Sequence, residues 1–366
     1  MPETGSSVLP KADPTQEAVV AKADSVAIFA LQECGRFLAM RTWHLFPLLL
    51  FSAAYAIAQT GGGQPSPPCT STDVGDLRIE HFDSKVLGAP QTLRIWLPPG
   101  YSDAANTQRS YPVLYAFDAQ SFFDRCTSPF GGEVQMDETL TRLIGAGKVE
   151  PIIVVGIDSP VEASRAAFPH TPLDMKARSS MLVEDPDNMA TTAYRFDFEP
   201  HGQRLAPFFT TELMPRIEKE YRVRKGRAST AIGGFSYGGV AAVNLLVELP
   251  MVFGIGWIES PSASPANGAL ARRTQYLAIA PLRAYVGVGD RESMKSYKQM
   301  SDAGLDPAAF DRNFAQDARA IADNFKAAGG ADPQVLFVEE PEADHSEASW
   351  ARRFPAAISF LFPAQK

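Results

Sequence analysis

Two stretches near residue 80 alternate between apolar and polar residues. The first covers residues 77–82, and the second covers residues 91–97 and stops at the turn residues Pro98, Pro99 and Gly100. Because successive side chains of a strand point to opposite faces, this alternation predicts two strands with one buried face each. Their closeness in the chain predicts an antiparallel hairpin of edge strands.

Continuous apolar runs follow at residues 111–118 and 151–158. Runs of this length are typical of strands buried on both faces of a mostly parallel sheet. Four further strands are predicted at residues 228–233, 253–259, 282–289 and 335–339.

Helical spacing of apolar residues is present over residues 137–147, 205–221 and 311–328. The apolar face of the last helix consists of Phe314, Ala318, Ile321, Ala322 and Phe325. Strands that alternate with helices, without an internal repeat, predict one doubly wound α/β domain over residues 74–366. Its sheet is expected to be mostly parallel and twisted, with helices on both faces and the antiparallel hairpin at its start.

The segment of residues 159–201 fits neither period and is rich in Pro, Met, Phe and charged residues. Long irregular segments in compact domains are often functional, so this one is a candidate for the substrate-side wall or a lid. A solvated connection without a role in binding is the alternative.

The candidate chemistry begins at Gly234, Ser236 and Gly238, which form a Gly-x-Ser-x-Gly motif between an apolar lead-in and a run of small residues. This pattern predicts a strand, a sharp turn and a helix, the nucleophile elbow of an α/β-hydrolase. Glycine on both sides avoids collisions in the turn, and the serine hydroxyl is held in front of the helix N-terminus. A glycine-rich turn with an ordinary serine is the alternative interpretation.

A serine hydroxyl needs a base to remove its proton, and the base needs a third group to orient it. In this fold the order along the chain is serine, acid, histidine. Of the five histidines only His345 follows Ser236, in a loop directly after the last predicted strand. The acid is expected after the strand at residues 282–289, where Asp290 and Glu292 compete. Spacing alone does not separate them, and the other carboxylate is expected to cap the turn or pair with an Arg or Lys.

These residues give the chain a resemblance to the putative esterase family of α/β-hydrolases, which includes enterochelin esterase-like hydrolases, feruloyl and acetyl-xylan esterases, esterase D and the mycolyltransferases. The stretches that carry the resemblance are Tyr111-Pro-Val-Leu-Tyr-Ala-Phe-Asp118-Ala-Gln120, Gly156-Ile-Asp158, Glu212-Leu-Met-Pro-Arg-Ile-Glu218, Gly234-Phe-Ser-Tyr-Gly-Gly239, Ser260-Pro-Ser262, and His345 followed by Trp350 and Phe354. The stretch from Asp344 to Trp350 is most similar to the enterochelin esterase-like members.

The resemblance implies that the acid lies three residues after the glycine that closes its strand. That glycine is Gly289, which selects Glu292. It also implies an oxyanion hole made by the backbone N–H groups of Tyr237 and Gln120, two fixed donors for the oxygen that becomes negative in acyl transfer. Family members often have Asp-Gly-Gln in the second loop, whereas this chain has Ala119 in the middle, whose methyl group is expected to tighten the loop.

Residues 40–58 have a short positive start, an apolar run and an Ala-x-Ala ending, which is typical of a signal peptide cleaved after Ala58. A membrane anchor is the alternative, but Pro47 and small polar residues shorten the run below the roughly 20 residues of a span, so no stable anchor is expected. Residues 1–39 are interpreted as a non-native upstream extension of the reading frame or a disordered segment, and residues 59–73 as a flexible linker. The expected location is the periplasm or the outside of the cell.

Cys69 and Cys126 remain in the exported chain, and they either form a disulfide or stay as two thiols. The sequence has no Cys/His cluster with metal-ligand spacing, so no metal is expected, and the serine mechanism needs no cofactor. A net charge of −8 and the lack of a basic run argue against nucleic acid as a partner.

The sequence therefore predicts an exported serine esterase with a Ser-His-Glu triad and an acyl-enzyme intermediate. Its substrate is expected to be a siderophore of the enterochelin type or another small or aryl ester, with positive charge available from Arg165, Arg272, Arg273 or Arg291. The alternatives are a feruloyl or acetyl-xylan esterase, an acyltransferase of the mycolyltransferase type, and a binding protein on an inactive hydrolase scaffold.

Overall fold

The computed structural model describes residues 69–161, 173–184, 199–262, 268–293, 297–302, 306–329 and 334–364. The predicted signal peptide, the extension before it and most of the predicted linker lie outside these residues. The described strands are β1 (Asp76–Ser84), β2 (Ala89–Leu97), β3 (Val113–Phe117), β4 (Ile153–Ile157), β5 (Thr230–Phe235), β6 (Ile255–Glu259), β7 (Arg283–Gly289) and β8 (Gln334–Glu340).

These eight described strands form one sheet in the order β1-β2-β4-β3-β5-β6-β7-β8. The hairpin β1/β2 is antiparallel, with Asp76 opposite Leu97, and β2 also pairs with β4 in the antiparallel sense. All remaining pairs are parallel. The predicted α/β fold with an N-terminal hairpin is therefore confirmed, except that of the two hairpin strands only β1 lies at an edge of the sheet. Strand β2 is interior, between β1 and β4, and all of its residues from Leu93 to Leu97 are buried.

The helices of the described residues are α1 (Met136–Gly145), α2 (Met175–Leu182), α3 (Leu205–Phe208), α4 (Met214–Glu220), α5 (Tyr237–Glu248), α6 (Ala269–Thr274), α7 (Tyr297–Asp302), α8 (Pro307–Ala328) and α9 (Glu347–Leu361). A π-helical turn, Phe209–Leu213, joins α3 to α4. Among the described residues, none of these helices is both long enough and apolar enough to span a membrane.

Helices cover both faces of the sheet, and the core is split accordingly. One set of strand side chains packs against α3, α4, α5 and α8, and the set that alternates with it packs against α1 and α9. On β3, for example, Tyr115 and Phe117 face the first group, whereas Leu114 and Ala116 face the second. This period-two burial on both faces explains why the interior strands are continuous apolar runs.

The long helix α8 agrees with its predicted apolar face, since all five predicted positions are buried. It begins four residues earlier than predicted, at Pro307. Asp306 caps it by accepting a hydrogen bond from the Ala308 N–H at 3.0 Å, and proline is favourable at the first helical position.

The segment of residues 159–201 contains a helix that the periodicity did not predict. Helix α2 buries Arg178, Ser179, Met181 and Leu182. Two of these four buried residues are polar, so the helix lacks the apolar stripe by which an amphipathic helix is recognised. The rest of the segment lies largely outside the described residues.

The N-terminal tail is fastened to the loop that follows β3. Cys69 and Cys126 form a disulfide, with Cα atoms 5.6 Å apart. Close by, the Ser71 hydroxyl donates to Asp124 at 2.9 Å, and the Trp96 indole N–H donates to the Val74 carbonyl at 2.9 Å. Of the two alternatives for these cysteines, the structure contains the disulfide.

The same tail is held by a buried carboxyl group, which makes stability depend on pH. Asp137 is fully buried and accepts a hydrogen bond from the Val74 N–H at 2.5 Å. Burial, together with the hydrogen bond to the adjacent Glu138 carboxyl, raises the pKa of Asp137 to about 8. The folded protein therefore holds this proton over a range, from about pH 4 to about pH 8, in which the unfolded chain has lost it.

We expect this carboxyl group to lower the free energy of unfolding as pH rises from 5 to 8. Asp137→Asn keeps an acceptor for the Val74 N–H but cannot ionise. Over this interval the free energy of unfolding of the variant should therefore fall less than that of the parent, by at least about 1 kcal/mol. Urea unfolding at both pH values measures the difference. Asp83→Asn, at an exposed position on β1, should keep the parent's slope, and an identical slope in Asp137→Asn would contradict the argument.

Candidate active site

The three predicted triad residues follow three parallel strands of the sheet. Ser236 comes directly after β5, Glu292 lies three residues after the end of β7, and His345 lies five residues after the end of β8. Strand β6, which ends at Glu259, lies between β5 and β7. Because the carboxyl ends of parallel strands meet at one edge, all these residues lie at the same edge of the sheet, where open α/β sheets bind ligands.

Ser236 has the backbone conformation of a sharp elbow. Its φ of 58° and ψ of −126° are unfavourable for a residue with a side chain, and such strain is typical of functional sites. A Cβ atom on Gly234 would lie 2.7 Å from the backbone of Gly238, so this turn requires glycine. The Ser236 N–H donates to the Glu259 carbonyl at 3.0 Å, and the next residue begins α5.

The Ser236 hydroxyl lies beside a second serine from the loop after β6. The two Oγ atoms of Ser236 and Ser262 are 3.2 Å apart. The Ser262 N–H also donates to the Ser236 carbonyl at 3.2 Å, which fixes the loop against the elbow. Ser262 therefore borders the space in front of the candidate nucleophile.

The structure brings Glu292 and His345 into direct contact. The distance from His345 Nδ1 to Glu292 Oε2 is 2.7 Å, and the Glu292 side chain is fully buried, whereas that of His345 is 27% exposed. Glu292 Oε1 accepts from the Gly289 N–H at 2.6 Å and from the Ser260 hydroxyl at 2.7 Å. Burial opposes ionisation, but the hydrogen bond and charge of His345 and the two other donors outweigh it and lower the pKa of Glu292.

Asp290, the other candidate acid, points to a different partner. Its Oδ1 accepts a hydrogen bond from the Glu342 N–H at 2.6 Å, which links the loops after β7 and β8. Asp290 thus caps a turn, while Glu292 contacts the histidine.

Ser260 has a fixed hydrogen-bonding pattern beneath the carboxylate. Its hydroxyl accepts from the Trp350 indole N–H and from Arg353 Nη2, both at 3.1 Å. A hydroxyl has two lone pairs and one proton, so the remaining proton must be donated to Glu292. Ser260 also has a φ of 40°, in the left-handed region that is rare for residues with a side chain.

Arg353 connects Ser260, which donates to the Glu292 carboxylate, to the buried carboxylate of Glu259. Its Nε donates to Glu259 at 2.9 Å, and the two side chains are 3% and 0% exposed. Burial raises the pKa of Glu259 to about 7, although the Arg353 guanidinium opposes the shift. The floor of the site therefore contains a charged network that is nearly closed to solvent.

Two aromatic rings contact the histidine. Trp350 stacks on Phe235, the residue before the elbow serine, with ring centroids 3.9 Å apart. The edge of the same indole contacts the His345 ring at 5.2 Å, and Phe314 contacts that ring at 5.8 Å. Trp350 thus packs against both the strand that carries Ser236 and the imidazole.

The two predicted oxyanion donors lie in helical segments that follow β5 and β3. Tyr237 is the first residue of α5, where backbone N–H groups have no partner within the helix. Gln120 is buried in the 3₁₀ turn Ala119–Ser121 after β3, and its side-chain oxygen accepts from the Ser159 N–H at 3.0 Å. The methyl group of Ala119 fits because it lies directly over Gly156, where any Cβ atom would overlap with it.

Two of the arginines predicted to hold an anionic ligand form ion pairs with glutamates of the protein. Arg273 forms ion pairs with Glu184 and with Glu248, the latter at 2.8 Å, and Arg291 pairs with Glu342 at 2.5 Å. Arg272 has interactions of its own, and Arg165 lies outside the described residues. Within the described part of the chain, no group of three or more His, Cys, Asp or Glu side chains is placed to hold a metal ion.

The sheet order, the strained serine and the carboxylate-imidazole pair at the carboxyl edge define an α/β-hydrolase fold. Residues 84–361 match the family described as Putative esterase. Since the match covers more than half of the chain, the protein belongs to this family, and it is a carboxylic ester hydrolase.

Individual relatives are distant. The chain is 24% identical over 236 residues to an endo-1,4-beta-xylanase/feruloyl esterase of Xylanibacter ruminicola, a match that covers 63% of this chain and 27% of that protein. The chain thus spans about a quarter of this relative's length. At 17% identity, siderophore hydrolase EstB from Aspergillus nidulans has a TM-score of 0.57 over 81% of this chain and 98% of its own. At 18% identity, an IroE-like serine hydrolase from Shewanella oneidensis has a TM-score of 0.54 over 78% of this chain and 80% of its own. At these identities the two structures establish similarity of fold.

Sequence reasoning missed several residues of the site. Ser260 and Ser262 belong to a stretch that carries the family resemblance, and the signal that could indicate them is a Ser-Pro-Ser sequence at the end of a predicted strand. Arg353 is an arginine on the buried face of a helix, and no local pattern distinguishes it from an exposed one.

Proposed function

We propose that the protein is an exported serine esterase in which Ser236 is the nucleophile, His345 the general base and Glu292 the acid that orients the imidazole. The observation that carries the proposal is the hydrogen bond between His345 and the buried Glu292 at the sheet edge where Ser236 has its strained elbow conformation. The three groups follow the order serine, acid, histidine that the fold requires.

The chemistry uses each of these groups in turn. Glu292 accepts the Nδ1–H of His345, which leaves Nε2 free to accept the proton of the Ser236 hydroxyl as Oγ attacks the ester carbonyl. The backbone N–H groups of Tyr237 and Gln120 stabilise the negative oxygen of the tetrahedral intermediate. When this intermediate collapses, the bond to the alcohol oxygen breaks and His345 returns the proton to it. Water then repeats the sequence on the acyl-enzyme, releases the acid and restores Ser236.

Two observations support export. The disulfide between Cys69 and Cys126 is of the kind that persists in oxidising compartments and is rare in the bacterial or eukaryotic cytosol. The stretch of residues 40–58 has the composition of a signal peptide. Together they favour the periplasm or the outside of the cell.

For the substrate we propose a siderophore ester or another small aryl ester. The two structural relatives are named as a siderophore hydrolase and an IroE-like serine hydrolase, and the sequence relative is named in part as a feruloyl esterase. The rings of Phe314 and Trp350 both contact the His345 ring, but each side chain is only 3% exposed, so they hold the imidazole and offer little surface to an aryl group. The ion pairs of Arg273 and Arg291 argue against these two as the source of positive charge for a ferric catecholate.

A fluorophosphonate probe and an ester panel test the proposal on protein that begins at Gln59. The probe should add one phosphonyl group, located by mass spectrometry on the peptide that contains Ser236, and p-nitrophenyl acetate should be hydrolysed. An enterobactin-type trilactone or methyl ferulate should be turned over faster than acetyl-xylan. Labelling of a different serine, or no hydrolysis of any of these esters, would reject the proposed nucleophile or the proposed reaction.

A further inference from the structure

Beside the site lies a buried ion pair that the proposed mechanism does not use. Arg178 of α2 donates from Nε to Asp118 Oδ1 at 2.7 Å and from Nη2 to Asp118 Oδ2 at 2.6 Å. The two side chains are 4% and 1% exposed. Two parallel hydrogen bonds between a guanidinium and a carboxylate are a strong and geometrically specific contact.

Asp118 lies in the same loop as Gln120, whose backbone N–H is one of the two proposed oxyanion donors. It directly follows β3, has a left-handed backbone with φ of 68°, and lies two residues before Gln120. Its Oδ1 also accepts from the Ser159 hydroxyl at 2.6 Å. Asp118 Oδ2 lies against α5, since a Cβ atom on Gly238 would be 2.9 Å from it. The carboxylate therefore lies between the Gln120 loop and the first turn of the helix that follows the nucleophile.

Arg178 also contacts the other proposed donor. Its guanidinium carbon lies 5.5 Å from the centre of the Tyr237 ring, within the range of a cation–π interaction. Helix α2 itself packs against α5. One side chain thus contacts both segments from which the two oxyanion N–H groups come, although these segments are more than a hundred residues apart in the chain.

The ion pair between Arg178 and Asp118 also balances the charge beside the site. Asp118 alone would place a buried negative charge close to the site at which the oxyanion forms, and like charges in a poorly solvated region repel strongly. The Arg178 guanidinium neutralises this carboxylate, and the charge of Asp118 in turn keeps the pKa of Arg178 above its ordinary value in spite of burial.

We propose that Arg178 is a positioning residue for the oxyanion hole: it fixes the Gln120 loop relative to the Ser236 elbow and cancels the charge of Asp118. This inference rests on the proposed function, because it assumes that Ser236 is the nucleophile. It assigns a role in the chemical step to α2, which lies in the segment predicted as a candidate substrate-side wall.

The test uses Arg178→Lys and Arg178→Gln, with p-nitrophenyl acetate and a fluorophosphonate as probes. Arg178→Lys keeps the charge and loses the two parallel hydrogen bonds, so kcat should fall about tenfold; Arg178→Gln also leaves Asp118 unneutralised, so kcat should fall about a hundredfold, less than the loss of a whole oxyanion donor. KM should stay within about twofold of the parent, since the ground-state ester does not carry the oxyanion charge. The rate constant of phosphonylation should fall by the same factors as kcat.

Arg224 provides a control with an ion pair to a carboxylate, its side chain being 34% exposed against 4% for Arg178. It donates from Nη2 to both oxygens of Glu150, at 3.1 and 2.9 Å, but it lies at the opposite, amino edge of the sheet. Arg224→Lys and Arg224→Gln should keep the parent's kcat and phosphonylation rate. A loss in Arg178 variants that equals the loss in Arg224 variants, or that falls on KM alone, would show a merely structural role and overturn the proposal.

A double variant keeps the proposal testable if Arg178→Gln does not fold. Asp118→Asn combined with Arg178→Gln removes both buried charges, and its kcat should still be at least about tenfold below that of the parent because the fixed contact is missing. Full activity of the folded double variant would refute the positioning role. Absence of Ser236 labelling in the parent protein would instead refute the proposed function, so the two failures are distinguishable.

Discussion

Ser236→Ala is expected to lower kcat for p-nitrophenyl acetate by about a hundred-thousandfold or more. Removal of the proposed nucleophile would abolish the acyl-enzyme path, and the residual rate would come only from substrate binding and the proposed oxyanion donors. Alanine has the same Cβ atom as serine, so the strained φ of 58° at the elbow is neither relieved nor worsened. Circular dichroism and the midpoint of thermal unfolding should therefore stay close to those of the parent protein.

Ser262→Ala is the matched control for this experiment. Ser262 contacts the same hydroxyl at 3.2 Å and belongs to the same edge of the sheet, but it has no place in the proposed proton transfer. Its kcat should fall by less than about tenfold, an effect of the size of one ordinary hydrogen bond. Activity that survives in Ser236→Ala and disappears in Ser262→Ala would transfer the nucleophile to the loop after β6.

The second large effect is expected for Glu292→Gln, with a loss of about a thousandfold to ten-thousandfold in kcat. In the parent protein, Glu292 Oε1 accepts hydrogen bonds from two donors, the Gly289 N–H and the Ser260 hydroxyl. The oxygen of a glutamine amide must point to them, so its NH₂ group faces His345 Nδ1. The imidazole then has its proton on Nε2, which is the wrong tautomer for accepting a proton from Ser236.

Asp290→Asn separates the two candidate acids directly. Asp290 accepts a hydrogen bond from the Glu342 backbone, and an asparagine oxygen can accept the same bond. The kcat of this variant should remain within about twofold of the parent's, with a small loss of stability at most. A larger loss in Asp290→Asn than in Glu292→Gln would reverse the assignment of the acid.

The order and type of the strands were predictable because burial on one or both faces leaves a direct trace in the sequence. The hairpin at β1 and β2, the interior strands and the long helix α8 all have regular apolar spacing, and the structure contains them. The elbow was predictable for a steric reason, since Gly234 and Gly238 approach each other so closely that larger residues are excluded.

The spacing of residues along the chain does not decide whether Asp290 or Glu292 is the acid, because both lie within three residues of the end of β7. The choice depends on which side chain turns inward to Ser260 and His345 and which turns outward to the next loop. Arg178 was hidden for a related reason. Its partner Asp118 is 60 residues away in the chain, and a polar residue on the buried side of a helix weakens the pattern that would reveal the helix.

The fit of Ala119 over Gly156 restricts how this loop can vary in sequence. A methyl group at position 119 and any side chain at position 156 cannot be present together without movement of β4 or of the Gln120 loop. A mutational route from an Asp-Gly-Gln loop to Asp-Ala-Gln therefore passes through a chain that already has glycine at 156. The two positions form an epistatic pair: the substitution tolerated at one is decided by the residue at the other.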